Sequence, residues 1–249
     1  MTSFQQLIDI VKKLRGPGGC PWDIAQTHKS LTPFAVEEAH ELEEAIENND
    51  VENMKEELGD LLFQSVLHSE LARQNGDFDI DDVIKHLNNK MVRRHPHVFS
   101  DTKVKDAAEV LKNWEEIKAL EKDGKPFDIP KSFPALLRAH KIGKRTKKMD
   151  FDWDTSSAVF DKVSEEMLEF KEAIELNDKE RIEEEMGDLL FTISQYARHV
   201  DLDAEKSLRK ANNKFIGRFE KMLELAPDFE SKSREEKESL WQQVKGQEK

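Results

Sequence analysis

Glu165, Glu166 and Glu169 fall in one helix-forming stretch and Glu185 and Asp188 in the next, and the same set stands earlier as Glu37, Glu38, Glu41, Glu57 and Asp60. Separations of three and four residues put such groups on one helical face. Two helices of this kind, packed antiparallel, direct four or five carboxylates into one volume, where like charges repel and raise one another's pKa unless a cation neutralises them. An all-oxygen ligand set suits a hard divalent ion. Glu166, Glu169, Glu185 and Asp188 are therefore candidate ligands for Mg2+ or Mn2+, and Glu38, Glu41, Glu57 and Asp60 form a second candidate site. A solitary EExxE segment is more often a solvated helical face. What favours metal is that all five positions recur while neighbours have drifted, as Glu43 has against Lys171. A di-iron bundle also uses glutamates on paired helices, but needs Glu-x-x-His on two of them. Glu37 to His40 supplies one, and Leu168 takes the matching place in the second half.

Cations accompany the acids. Lys214 and Arg218 are four apart on one helical face, and Lys90 and Arg94 repeat them at an offset of 124. Each pair is suited to phosphate oxygens that a metal does not reach. Lys162 and Arg181, which replace Phe34 and Asn53 at an offset of 128, are further candidates for binding a polyanion. Trp241 is a candidate base-stacking residue, although a tryptophan on an amphipathic helix is more often core. The chemistry expected of this set is phosphoryl transfer. A metal held by the carboxylates would bind and polarise a polyphosphate, Glu165 would orient or deprotonate a water, and Lys214 and Arg218 would stabilise the developing charge.

The elements that position these groups come in two copies. Residues 36–63 and 164–191 agree at 17 of 28 positions without a gap, including EELGDLLF against EEMGDLLF. Each copy has apolar residues at helical spacing, a turn at NND or LND, and a second long helix, while strand signals are absent. The fold class expected is all-α: tandem helical-bundle domains over 1–120 and 135–249, a Gly- and Pro-containing linker over 121–134, and bundles completed by dimerisation because their long helices carry apolar faces. Gly59 and Gly187, inside their helices, each cost roughly 1 kcal/mol relative to alanine. Their expected purpose is to let a neighbouring helix or a ligand come close to the acidic face.

The net charge of -13 argues against a general nucleic-acid or membrane surface, both of which want clustered cations. No stretch approaches the roughly 18 apolar residues of a membrane span, and the single Cys20 excludes an internal disulfide framework. A cytoplasmic location is expected.

The doubled EExxE and ExxD pattern, with GPGGCPWDIAQTH near the start and FDWD at 151–154, resembles the MazG family of nucleoside triphosphate pyrophosphohydrolases over essentially the whole chain. The resemblance implies an all-α homodimer that uses Mg2+ to convert nucleoside triphosphates to monophosphate and pyrophosphate; the choice of bond rests on the resemblance alone. Family members often read GFDW where this chain has Asp150. A non-catalytic module that senses polyphosphates is the alternative. The main activity is expected in the second repeat, because Lys162 and Arg181 are added there and because Pro96 cuts the first repeat's basic helix short, leaving Arg94 on a fraying end.

Overall fold

The computed structural model describes residues 2–121 and 127–247. The chain divides into two compact units, Met1–Asp123 and Gly124–Lys249. Their boundary lies inside the expected linker, of which residues 122–126 fall outside the described residues. Among the described residues all regular structure is helical.

The first unit holds α1 (Ser3–Arg15), α2 (Pro21–Ala25), α3 (His28–Glu47), α4 (Val51–Asn75), α5 (Ile80–Arg94), α6 (Pro96–Phe99) and α7 (Ala107–Leu120). The second holds α8 (Ala135–Lys147), α9 (Ser156–Leu176), α10 (Lys179–His199), α11 (Ala204–Leu225) and α12 (Arg234–Gly246), with a short 3-10 turn before the last. In each unit a long helical hairpin, α3–α4 or α9–α10, is the frame, and the unit's first helix, α1 or α8, packs on the hairpin's second arm.

The duplication extends to the backbone chemistry of the helix starts. Thr27 and Thr155 cap α3 and α9, accepting from Ser30 N and Ala158 N at 3.1 Å each. Asp50 and Asp178 cap the second arms, and Asp79 and Asp203 cap α5 and α11, again through the amide three residues on. Such caps satisfy amides that have no partner within the helix. Between the hairpin arms Asn49 and Asn177 take left-handed φ angles of 55° and 53°. Asparagine tolerates that conformation better than most residues, so NND and LND make the same reversal.

The two cores differ. In the first unit Ile8 and Val11 of α1 meet Leu31, Val66, Leu67 and Leu71 in an apolar cluster. In the second, Ser194 and Gln195 stand where Val66 and Leu67 do, both fully buried. Ser194 Oγ donates to Leu136 O at 3.0 Å and Gln195 Nε2 to Ala139 O at 2.8 Å, so these two buried polar side chains between α8 and α10 are satisfied. Gly143 permits it, since a Cβ there would lie 1.8 Å from Gln195 Oε1.

Candidate metal centre

Each hairpin brings its carboxylates together. In the first repeat α3 carries Glu38 and Glu41 and α4 carries Glu57, with one carboxylate oxygen of each within 4.8 Å of the others. In the second, Glu166 of α9 meets Glu185 and Asp188 of α10 in the same way. Asp60 in one repeat and Glu169 in the other lie outside these closest triples, yet both act on the group electrostatically. Burial raises the Glu38 carboxyl above its ordinary range, and Asp60 and Glu41 add repulsion. Glu169 is raised by burial and then by Glu185 and Glu166. Oxygen donors this close repel one another when ionised, and a hard divalent cation is the partner that relieves such repulsion.

The repeats neutralise their acids differently. Lys162 Nζ lies 2.8 Å from both Glu165 and Glu166, bonds that hold its ammonium in the charged form. Arg181 Nε is 3.4 Å from Glu185 Oε1, and a second guanidinium nitrogen is 3.9 Å from Glu172. Both of the added cations expected to face substrate are thus bonded to the acidic group. Phe34 and Asn53 supply no such charge in the first repeat. There the Glu57 carboxyl is raised by burial, Glu41 and Glu38. The buried amide of Gln64 lies beside Glu38, with its oxygen lacking a hydrogen-bond partner.

Of the other predicted residues, Arg218 lies 5.6 Å above the Trp241 ring, which in turn meets Phe215 at 5.1 Å. Trp241 is therefore half-buried in an aromatic contact between α11 and α12. Lys214 is exposed. Lys90 and Arg94 sit on α5, which Pro96 ends seven residues shorter than its counterpart, at 15 residues against 22 for α11. Arg94 does not fray, however. It pairs with Glu121, which Arg93 also holds, and lies 5.4 Å from the Trp114 ring. Those bonds push the Glu121 carboxyl down to about 2.

Around Gly59 and Gly187 an added Cβ would meet nothing within 4 Å. Close packing within the chain therefore does not explain either glycine. Trp22 of the GGCPWD turn is 53% exposed and meets the Phe34 ring in a T-shaped contact, 5.8 Å between centroids.

Sequence reasoning missed what FDWD does. Asp152 accepts from Arg198 Nη2 and Nη1 at 2.6 and 2.9 Å and lies 3.0 Å from His199 Nε2. It ties the loop before α9 to the end of α10. The available signal was two aspartates beside an aromatic in a motif with no assigned role; the partners, 46 and 47 residues away, carried none.

The MazG nucleotide pyrophosphohydrolase domain matches residues 26–99 and again 154–223, each match holding one carboxylate set. The chain is 44% identical over 251 aligned residues to the nucleoside triphosphate pyrophosphohydrolase/pyrophosphatase MazG of Thermotoga maritima, covering 98% of this chain and 96% of that one. It is 42% identical to the nucleoside triphosphate pyrophosphohydrolase of Escherichia coli K12, over 100% and 99% of the two chains. A crystal structure of a mazG-related protein from Thermotoga maritima is similar at 30% identity and a TM-score of 0.40, covering 46% of this chain and 97% of its own. Matched in both halves and along its whole length, the chain belongs to the MazG family and carries its domain twice.

Proposed function

We propose that the protein is a Mg2+-dependent nucleoside triphosphate pyrophosphohydrolase, able to use Mn2+, whose main site lies in the second repeat. The observation that carries the reading is the convergence of Glu166, Glu185 and Asp188 to within 4.8 Å, with Glu169 beside them. The full-length relatives named as nucleoside triphosphate pyrophosphohydrolases support the substrate and the bond broken. These four carboxylates would hold the cation. It supplies charge neutralisation for a triphosphate and lowers the pKa of a bound water.

The chain's own residues do the rest. Glu165, outside the closest triple, orients the attacking water and accepts its proton. The water oxygen bonds to the α-phosphorus, the α–β bond breaks, and monophosphate and pyrophosphate leave. Lys162 and Arg181 keep the acidic group from repelling itself apart before ligands arrive. With those acids held by a cation, Lys162 and Arg181 would be free to turn toward phosphate oxygens, where Lys214 and Arg218 would join them.

A homodimer is part of the proposal. Met186, Leu190 and Ile193 on α10, and Phe215, Ile216 and Phe219 on α11, are at least 37% exposed, an apolar surface suited to a second copy. No described helix is long and apolar enough to cross a membrane; a cytoplasmic location is part of the proposal.

The test is pyrophosphate release from mixed nucleoside triphosphates with Mg2+ and with excess EDTA. Turnover that EDTA abolishes and Mg2+ restores is expected. Equal turnover in EDTA sinks the metal assignment, and nucleotide binding without any release identifies a sensing module instead.

A further inference from the structure

The stretch between Asp128 and Asp150 contains no acid, yet seven of the chain's 39 lysines and arginines fall in it. Most of it is α8, which lies outside both matches to the MazG domain. Ala139 and Gly143 face α10, where Gln195 and Arg198 meet them. At about 100° per residue, Lys141, Lys144 and Arg145 stand on the opposite side of the helix, flanked by Arg138 and Lys147. The three lysines are exposed. None of these five cations forms an ion pair among the described residues. Exposed lysines elsewhere find an acid one turn away, as Lys55 does in Glu52 and Lys171 in Glu175. On the neighbouring α11, Glu205 is spent on the Leu137 amide. Arg138 is half-buried, and its Nε, shut from solvent, lacks a hydrogen-bond partner.

Like charges three and four apart repel along a helix. The helix dipole favours basic residues in the last turn, which accounts for Lys144, Arg145 and Lys147 but not for Arg138 and Lys141. A polyanion laid along the row relieves the repulsion of all five.

We propose that the outer face of α8 binds a single nucleic-acid strand by its phosphates, without reading its bases. The inference stands apart from the hydrolysis reading. Two features favour phosphates over an acidic protein segment. No large apolar side chain is exposed between Phe127 and Met149, so the face lacks the anchors on which protein interfaces depend. Lysine, three of the five cations, is depleted in such interfaces and serves phosphate as a point charge. Outside this stretch acids outnumber bases still further than in the whole chain. The broad footprint of a duplex therefore meets repulsion that a narrow strand escapes.

The test is fluorescence anisotropy with labelled oligo(U) and oligo(dT) of about 12 nucleotides, in EDTA so that no cation bridges a phosphate to the acidic groups. Both strands are expected to bind alike, because the row contacts phosphate rather than sugar or base. With three or four phosphates neutralised, raising KCl from about 50 to about 200 mM weakens binding roughly twenty- to fiftyfold. Lys141→Glu with Lys144→Glu weakens it about tenfold or more at the lower salt. Lys103→Glu with Lys105→Glu, the same change of net charge on exposed lysines of the first unit, does not. No binding at the lower salt, or equal loss in the two double variants, overturns the proposal. Polyglutamate that binds as tightly as the oligonucleotides overturns it in favour of an acidic protein segment. A fall in kcat/KM for ATP in Lys141→Glu with Lys144→Glu, with oligonucleotide binding unchanged, overturns it in favour of a surface that attracts substrate.

Discussion

Asp152 and Arg198 form an ion pair whose side chains are only 10% and 5% exposed, and His199 shares the same carboxylate at 10%. Removing one partner of such a pair leaves the other charge buried and unmatched, so Asp152→Asn is expected to destabilise the second unit by about 3 kcal/mol in chemical denaturation. A loss under about 1 kcal/mol would mean that the pair is solvated in solution. Hydrogen bonds from Arg198 hold the Asp152 carboxyl well below its ordinary range, against the opposing effect of burial. A folded-state pKa below the unfolded value means that the pair contributes fully above about pH 4 and fades as pH falls further. Between pH 7 and 3 the wild type should lose more stability than Asp152→Asn does. At this scale the sequence was legible where types and spacing sufficed: the five recurring carboxylates marked the acidic groups. Lys162 and Arg181 were recognisable as unusual, but their bonds to Glu165, Glu166 and Glu185 depend on rotamers and helix contacts that spacing alone leaves open. Arg94 was misjudged for a related reason, because Glu121, 27 residues on, carries no periodic signal.

Asp150 illustrates what an element requires of one residue. It ends the turn after α8 with φ at 57°, its amide accepted by Lys147 O, and Phe151 N donates to Thr146 O across the reversal. The MazG pattern often has glycine at this place, and a left-handed φ is the physical reason. Asp150→Gly is expected to raise stability by up to about 1 kcal/mol, since the strain of a side chain in that region outweighs the added freedom of the unfolded chain. A lower melting temperature would show that the Asp150 side chain makes a compensating bond. Helix positions were readable from periodicity, and NND and LND at matching offsets foretold where the hairpins turn. The start of α2 and the 3-10 turn at Phe229–Ser231 were not, because such short pieces owe their form to tertiary packing. Nor did the sequence disclose why Gly59 and Gly187 persist; open space around both leaves a ligand or a second copy as what comes near.

For the molecule as a whole, duplication was the most informative signal, since an ungapped match over 28 residues fixed the repeat, the hairpins and the two acidic groups together. Assembly was expected from the same apolar faces that stay uncovered in a single chain. Sedimentation equilibrium at micromolar concentration should give twice the 28.9 kDa chain mass, and Leu190→Lys with Ile193→Lys should return it to that of one chain; a wild-type monomer would contradict the homodimer. The two repeats are alike enough that the proposed division of labour between them rests on Lys162 and Arg181. The most direct measurement is Mg2+-dependent pyrophosphate release by Glu185→Ala and Glu57→Ala, with folding checked by circular dichroism. Loss of one of the carboxylates proposed to hold the metal in the second repeat is expected to reduce turnover at least a hundredfold, in the range of one electrostatic contact to a reacting phosphoryl group, while Glu57→Ala retains most of it. Near wild-type release by Glu185→Ala together with its loss in Glu57→Ala would place the reaction in the first repeat and contradict the account.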